Sequence, residues 1–278
     1  MRKNLSIAIV NWNAGEYLDA CLSSIERETK IPHEIWVVDN ASTDGSKELL
    51  RERPDIRLIF NEGNAGFAAA NNQMMRKSDA SYFLLLNPDT VILDHALDRM
   101  VAYLERHPEA GAVGCKLLNP DLSLQPSCHA FYSTLGSLIE NKLLTRLISW
   151  RSPRSPWLSF WDHESIRSVD WVTGACLMVR RETIEKVGGL DERFFMYGEE
   201  VDWQKRMREK GLQVHFLPEA RVIHHGGGSA KKAKKPMNRQ ELLSRELFIE
   251  KHYPLSALFI YRLKARIARF VMERIILS

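Results

Sequence analysis

The stretch Glu34-Ile35-Trp36-Val37-Val38-Asp39-Asn40-Ala41-Ser42-Thr43-Asp44-Gly45 changes abruptly from a mainly apolar run to a polar one. Its β-branched and aromatic residues predict a buried strand over Glu34–Val38. The Asp, Asn, Ser and Gly residues that follow predict a loop, and the spacing after them predicts a short helix over Ser46–Arg51. The same order of strand, polar loop and helix recurs on both sides of this stretch.

The neighbouring segments therefore indicate an α/β protein. Strands are predicted at Leu5–Val10, Ile56–Phe60, Tyr82–Leu86 and Ala112–Lys116, and helices at Glu16–Glu26, 67–76 and 95–107. Later segments predict a strand at Trp171–Arg180, helices at Arg181–Val187 and Glu199–Lys210, and strands at Gln213–Leu217 and Arg221–His224. Strands that alternate with helices form βαβ units and a mainly parallel sheet. Ligands bind such sheets beyond the carboxyl ends of the strands, where this chain has loops rich in Asn, Asp and Gly.

Composition excludes several classes of protein. Hydrophobic residues make up 45% and charged residues 27% of the 278, which is ordinary for a globular chain. The net charge of +4 comes from the C-terminal end, because residues 231–278 contain 12 Lys or Arg against 4 Asp or Glu. A mildly acidic body argues against nucleic-acid binding. The four cysteines are scattered and no apolar run approaches about 20 residues, so we expect a cytoplasmic protein with reduced thiols.

Five polar residues, at four predicted strand ends or helix starts, are candidate chemical groups. Asp39 suits a ribose hydroxyl or a pyrimidine N–H, and Asp89 suits a divalent cation that shares phosphate oxygens. The adjacent Glu199 and Glu200 follow an aromatic segment that would raise a carboxyl pKa and make a usable base. His224 is a candidate metal ligand. Each has a structural alternative, such as a turn, a helix cap or a favourable charge at a helix N-terminus.

The turn over residues 61–67 is rich in Gly and Asn and leads into a helix. It lacks the glycine fingerprint of dinucleotide-binding folds and the Gly-Lys-Ser/Thr of a phosphate-binding P-loop. Taken alone, it favours a structural turn.

The order and spacing of these segments together resemble the inverting family 2 glycosyltransferases, and within them the bacterial rhamnosyltransferase-like branch. The matching blocks are Ile9-Val10-Asn11-Trp12-Asn13, residues 38–46, residues 64–72, Leu86-Asn87-Pro88-Asp89, Thr173-Gly174-Ala175, residues 198–203 and His224-His225-Gly226-Gly227. They extend over roughly residues 5–230.

The resemblance implies a GT-A type nucleotide-diphospho-sugar transferase fold, with a mainly parallel mixed central sheet flanked by helices. Residues 1–230 would form the catalytic domain, with a nucleotide-binding half to about 115 and an acceptor half over 116–230; residues 231–278 would form a basic amphipathic helical tail. The implied nucleotide-binding residues are Val10, Trp12, Asp39, Asn64, Gly66, Asn72 and Asn87. Asp89 and His224 would hold a divalent cation, Mg²⁺ or Mn²⁺. Gly174, Ala175, Asp202 and Trp203 would lie along the acceptor.

Two positions depart from the family pattern. Asn87 replaces the first acid of the Asp-x-Asp metal motif, which leaves the cation to Asp89, the diphosphate and His224. Glu200 stands where Asp is the more usual general base, which leaves both Glu199 and Glu200 as candidate catalytic residues.

The implied reaction is an inverting transfer of a sugar from a nucleotide-diphosphate donor, dTDP-L-rhamnose by branch resemblance, to a hydroxyl of a surface polysaccharide or lipid-linked saccharide. Alternatives are a UDP- or GDP-hexose donor, or a non-catalytic carbohydrate-binding protein of this fold. In the tail, Leu263, Ile267, Phe270 and Val271 share one helical stripe and Arg262, Arg266 and Arg269 another. Such a helix favours either an anionic membrane surface on the cytoplasmic face or packing on the body or on a second copy of the chain.

Overall fold

The computed structural model describes residues 4–131, 161–226 and 236–263. Its strands are β1 (Leu5–Asn11), β2 (His33–Asp39), β3 (Ile56–Phe60), β4 (Tyr82–Leu86), β5 (Thr90–Leu93), β6 (Ala110–Leu118), β7 (Leu124–Gln125), β8 (Cys128–His129), β9 (Arg167–Val169), β10 (Trp171–Val172), β11 (Cys176–Arg180) and β12 (Gln213–His224). Its helices are α1 (Gly15–Glu28), α2 (Ser46–Arg51), α3 (Phe67–Lys77), α4 (Ala96–Arg106), α5 (Arg181–Val187), α6 (Glu199–Glu209) and α7 (Pro236–His252). Residues 255–263 form one more helix.

The central sheet has the order β3-β2-β1-β4-β11-β6-β12-β5. The first four strands are parallel, whereas β11 runs antiparallel to both β4 and β6, and β12 pairs with β6 in parallel. The predicted mainly parallel mixed sheet is therefore confirmed. Because β1 and β2 pair in register from Leu5↔His33 to Asn11↔Asp39, their polar ends meet at one edge.

Side chains of the central strands alternate between the two faces of the sheet, and each face packs against its own apolar core. Ile7 and Ile9 of β1 pack with helices α1 and α4, while Ala8 and Val10 pack with α3 and α6. Both faces of the central strands are buried, as expected for parallel strands covered by helices on both sides.

Two strand predictions were wrong in detail. The strand predicted at Trp171–Arg180 is split into β10 and β11, because its first part pairs with β8 in a separate two-stranded sheet and its second part pairs with β4 and β6 in the central sheet. The side-chain amide of Gln204 in α6 holds Val172 of β10: its Oε1 accepts from the Val172 N–H, and its Nε2 donates to the Val172 carbonyl, both at 2.8 Å. Conversely, the strands predicted at Gln213–Leu217 and Arg221–His224 form one strand, β12, with a register shift between Leu217 and Arg221. Pro218 lies within this register shift, where no hydrogen bond between the strands requires the N–H that proline lacks.

Helix α7 lies against the preceding part of the chain, and the 255–263 helix packs on α7 through Ala257 and Leu258. Phe248 of α7 is fully buried and packs with Phe194 and Val201. The 255–263 helix exposes Leu255, Phe259 and Leu263, which are spaced four residues apart. The remaining members of the predicted tail stripe, Arg266 to Val271, lie outside the described residues. In the part of the chain that is described, no helix is long and apolar enough to cross a bilayer.

Candidate active site

A single cleft lies at the carboxyl edge of the parallel strands. Its volume of about 300 Å³ is at the lower end of the range for small-molecule sites. The lining comes from seven separate segments of the chain: Val10, Trp12, Asn40, Asn64, Phe67, Asn87, Pro88, Asp89, Thr173, Gly174, Ala175, Met196, Tyr197, Glu199, Glu200 and His224. The fold thus brings Asp89, Glu200 and His224 to one cleft, although more than a hundred residues of sequence separate Asp89 from the other two.

Asp89 and His224 form the polar pair at one end of the cleft. Asp89 follows β4 and His224 ends β12, and the Asp89 Oδ1 lies 3.3 Å from the His224 Nε2. Two further hydrogen bonds hold the backbone here: the His225 N–H donates to the Asp89 carbonyl, and the Asn87 N–H donates to the Ala175 carbonyl, both at 2.9 Å.

The partners of His224 indicate its tautomer. Its Nδ1 lies 2.7 Å from the Oε1 of Gln125, an acceptor, so Nδ1 carries the proton and donates it. In the neutral imidazole, Nε2 is then the nitrogen with the lone pair; the Asn87 amide nitrogen lies 3.2 Å from it and the Asp89 Oδ1 lies 3.3 Å from it. A neutral imidazole oriented through its other nitrogen is the usual arrangement of a metal-ligating histidine.

The donor set of this pair fits a divalent cation that also binds a ligand. Asp89 offers a carboxylate oxygen and His224 an imidazole nitrogen, which together suit Mn²⁺ or Mg²⁺. Within the described ranges, no group of three or more His, Cys, Asp or Glu side chains is arranged to hold a metal by itself. Two such ligands would leave coordination positions for phosphate oxygens, and Asn87, which stands where the resemblance implies a first acid, would add no negative charge.

Glu200 is the second residue of helix α6 and lines the same cleft. Its Oε2 accepts a hydrogen bond of 3.1 Å from the Gly198 N–H. Burial raises the pKa of Glu200, while backbone hydrogen bonds, among them those from Gly198 and Gly174, act to lower it. Gly174 also packs on the side chain, because a Cβ there would lie 3.4 Å from the Glu200 Cβ. Glu200 is thus a carboxyl group of raised proton affinity whose anion still has hydrogen-bond donors.

Glu199 has a different environment from its neighbour. Its side chain is 4% exposed, and its Oε2 has no hydrogen-bond partner among the described residues. Burial, and after it the charge of Glu200, raises the pKa of Glu199 well above its ordinary value.

The residues expected to bind the nucleotide divide into two groups. Val10, Trp12, Asn64 and Asn87 line the cleft. Asp39 does not: it is fully buried behind the lining, and its carboxylate accepts hydrogen bonds from the Asn11 amide at 2.7 Å and the Ser42 N–H at 2.9 Å.

Gly66 and Asn72 also lie outside the lining. Gly66 has a φ of +85°, and a Cβ there would lie 2.5 Å from the Phe195 carbonyl oxygen. Asn72 holds the backbone of Leu190 from both sides: its Nδ2 donates to the carbonyl at 2.8 Å, and its Oδ1 accepts from the N–H at 3.0 Å. Both residues therefore hold the segment that leads to Glu200.

The residues expected along the acceptor divide in the same way. Gly174 and Ala175 line the cleft, whereas Asp202 and Trp203 are fully buried away from it. The Trp203 Nε1 donates to the Gly188 carbonyl at 2.8 Å. Asp202 accepts from Arg206, Lys251 and His252. The sequence could not separate these roles, because neighbouring positions on a helix point in different directions.

Several cleft residues were missed by the sequence analysis. Thr173, Met196 and Tyr197 line the cleft, and Tyr197 adopts a φ of +65° just before Gly198 at +86°. The aromatic segment before Glu199 was the available signal for Tyr197. Gln125, which orients His224, lies in a two-residue strand without any motif.

Comparison with known proteins bears on the family and the fold of the chain. The model of the family described as Glycosyl transferase family 2 matches residues 6–143. N-acetylglucosaminyl-diphospho-decaprenol L-rhamnosyltransferase of Mycobacterium tuberculosis is 32% identical over 80% of this chain and 76% of its own length. Rhamnosyltransferase WbbL of Escherichia coli K12 is 25% identical over 79% of this chain and 82% of its own.

Among solved structures, the mannosyltransferase PcManGT of Pyrobaculum calidifontis, determined in complex with GDP-Man and Mn²⁺, superposes with a TM-score of 0.60. The similarity covers 95% of this chain and 70% of that one at 18% identity, so it bears on the fold alone. The expected GT-A fold is confirmed by it. On the strength of the sequence relatives, this chain belongs to glycosyl transferase family 2.

Proposed function

We propose that the protein is an inverting, metal-dependent rhamnosyltransferase that moves L-rhamnose from dTDP-L-rhamnose to a hydroxyl of a lipid-linked saccharide. The observation that carries the proposal is the meeting of Asp89, His224 and Glu200 in one cleft. The names of the two sequence relatives support the sugar, and the first of those names, which includes a diphospho-decaprenol, supports the lipid-linked acceptor.

Asp89 and His224 are the residues that would hold the divalent cation. When bound, such a cation neutralises the charge that accumulates on the departing diphosphate. Two side chains organise this end of the cleft. Gln125 accepts a hydrogen bond from the His224 Nδ1 and so fixes the tautomer of the imidazole. Asn87 donates a hydrogen bond to His224, where an acid would add a second negative charge.

Glu200 is the proposed general base. Because backbone N–H groups stabilise its anion while burial raises its proton affinity, it can take the proton of the acceptor hydroxyl as that hydroxyl attacks. The attack comes from the face of the sugar opposite to the diphosphate, so the anomeric configuration inverts. Val10, Trp12 and Asn64 would contact the nucleotide, with Asp39 holding the loop behind them.

The C-terminal part provides a way to reach a lipid-linked acceptor. The exposed Leu255, Phe259 and Leu263 form an apolar face on the 255–263 helix, and the surrounding sequence is strongly basic. An apolar face with basic flanks binds anionic bilayer surfaces. We therefore propose a peripheral position on the cytoplasmic face of the membrane.

The direct test is sugar transfer by Glu200→Gln. The amide keeps the shape of the side chain but accepts no proton, so we expect kcat to fall by about 10²–10⁴-fold while donor binding persists. Transfer is measured with labelled dTDP-L-rhamnose and a polyprenyl-diphosphate-linked saccharide, with UDP- and GDP-hexoses as competing donors. Glu182→Gln, an exposed acid on α5, is the matched control. Full activity of Glu200→Gln would reject the base, and binding of the donor without any product from the parent would favour the non-catalytic alternative.

A further inference from the structure

Glu199 also lines the cleft, but the proposed reaction assigns no role to its carboxyl group. Sequence alone left Glu199 as an alternative to Glu200, but the two side chains differ in their hydrogen bonds. Glu200 accepts a backbone hydrogen bond from Gly198, whereas the Glu199 Oε2 is buried without a partner in the described part of the chain.

The environment of Glu199 favours a neutral acid. A buried carboxylate beside a second carboxylate is destabilised by desolvation and by repulsion, whereas a protonated carboxyl group avoids the repulsion and has a much smaller desolvation cost. A backbone hydrogen bond at Glu199 acts in the opposite direction but is the smallest of the three effects. Burial and the Glu200 charge raise its pKa accordingly. The other titratable groups that face this region are Tyr197, whose pKa burial raises, and the cleft pair Asp89 and His224. The described cleft residues include no Lys or Arg that would stabilise a second anion there.

We propose that Glu199 is a carboxylic acid that donates its O–H to a hydroxyl of a bound sugar, while Glu200 alone acts as the base. The proposal rests on the proposed function and assigns the residue to substrate binding. A protonated carboxyl group supplies one donor and retains acceptor capacity, which matches a sugar hydroxyl that both accepts and donates. The carboxyl pair thus contains one acid and one anion, and no proton moves to or from Glu199 during transfer.

The test compares Glu199→Gln with Glu199→Met. Methionine removes the donor, so we expect KM for one of the two sugar substrates to rise about 3- to 10-fold, the loss typical of one hydrogen bond. The substrate whose KM rises identifies the sugar, donor or acceptor. Glutamine supplies an N–H donor of the same length, so it should recover much of the lost affinity and keep kcat at least tenfold above that of Glu200→Gln. Unchanged KM values in the Met variant, or a Gln variant as inactive as Glu200→Gln, would overturn the proposal.

A stability measurement tests the protonation without any turnover. A group whose pKa is raised by folding contributes stability that is present below its unfolded pKa, about 4.3, and is lost as pH rises toward the folded value. The parent should therefore lose stability relative to Glu199→Gln as pH rises from about 4 in denaturant titrations. A stability difference independent of pH would contradict a protonated Glu199. An inactive parent that still shows this pH dependence would count against the proposed function and not against the acid.

Discussion

Gly66 illustrates at the scale of one residue how the cleft is held. Its φ of +85° lies in the region that favours glycine. A Cβ at this position would lie only 2.5 Å from the Phe195 carbonyl oxygen, so a larger residue would clash with the backbone. The next residue continues the contact, because the Phe67 N–H donates to the same Phe195 carbonyl at 2.8 Å. The start of α3 is thereby joined to the segment that leads to Glu200.

We expect Gly66→Ala to destabilise the protein by about 2 kcal/mol or more, since it combines an unfavourable φ with a backbone clash. The measurement is the midpoint of denaturant unfolding at constant m-value. Gly63→Ala in the same turn is the matched control, because a Cβ there meets nothing within 4 Å. Equal effects of the two substitutions would show that the Phe195 contact does not constrain Gly66.

A second prediction at this scale concerns the Asp89–His224 pair. Asp89→Asn keeps the shape but removes the charge, so we expect affinity for Mn²⁺ in the presence of a nucleoside diphosphate to fall about tenfold or more. Gln125→Leu, which removes the partner of the His224 Nδ1, should cost about 10- to 100-fold in metal affinity, as is typical for residues that orient ligands.

Calorimetric titration of Mn²⁺ checks both changes. Asp94→Asn serves as the control, because Asp94 is an exposed acid at the end of β5 that pairs with Arg221. Affinity that is unaffected by Asp89→Asn would place the cation elsewhere.

At the scale of elements, ion pairs and hydrogen bonds hold helix α7 against helix α6, which carries Glu200. Asp202, two residues after Glu200, lies 2.6 Å from the Lys251 Nζ and 2.7 Å from the His252 Nε2. Ser244 of α7 also donates to the Met196 carbonyl at 2.8 Å. The contacts fix the orientation of α6 from its buried side, which explains why Asp202 does not reach the cleft.

We expect Asp202→Asn to lower the free energy of unfolding by about 3–5 kcal/mol, because it leaves basic groups without their buried anion. Burial acts to raise the pKa of Asp202, but hydrogen bonds from His252 and Lys251 prevail and lower it. The stability this gives is present above the unfolded pKa, about 3.9, and is lost as pH falls through the folded value.

Acid denaturation of the parent and of Asp202→Asn checks this prediction, because the loss of stability below about pH 4 should be smaller in the variant. Glu48→Gln, which removes an exposed ion pair with Arg51, should change stability by less than about 1 kcal/mol. An Asp202 variant with the parent's acid profile would contradict the role of the buried anion.

At the scale of the whole molecule, the parallel register of the first four strands brings separate loops to one edge. The same body carries the exposed apolar face of the 255–263 helix, the proposed membrane contact. We expect the protein to float with vesicles that contain phosphatidylglycerol and not with neutral phosphatidylcholine vesicles.

The double variant Leu255→Glu, Phe259→Glu should lose that flotation, because it places charges in the apolar face. Ile166→Glu, at an exposed hydrophobic residue outside this helix, is the control. Flotation that persists in the double variant would remove the membrane from the proposal and leave packing on a second copy of the chain as the alternative for this face.

The sequence by itself determined most of the elements and the fold class, since apolar periodicity and loop composition are local properties; strand β5 was not predicted. The strands at Ile56–Phe60 and Tyr82–Leu86 and the helices at Ser46–Arg51 and Arg181–Val187 have the predicted bounds. It also named Asp89, Glu200 and His224, whose presence in one cleft follows from the carboxyl edge of a parallel sheet.

Only the tertiary structure decided which acidic side chains of helix α6 line the cleft and how each of them is hydrogen-bonded. Glu200 lines it with a hydrogen-bonded carboxylate, Asp202 two positions later pairs with α7, and Gln125 reaches His224 from a strand with no motif. These differences depend on what packs around each side chain from distant parts of the chain. Burial and hydrogen-bond partners then set its charge, and neither is encoded in the residues beside it.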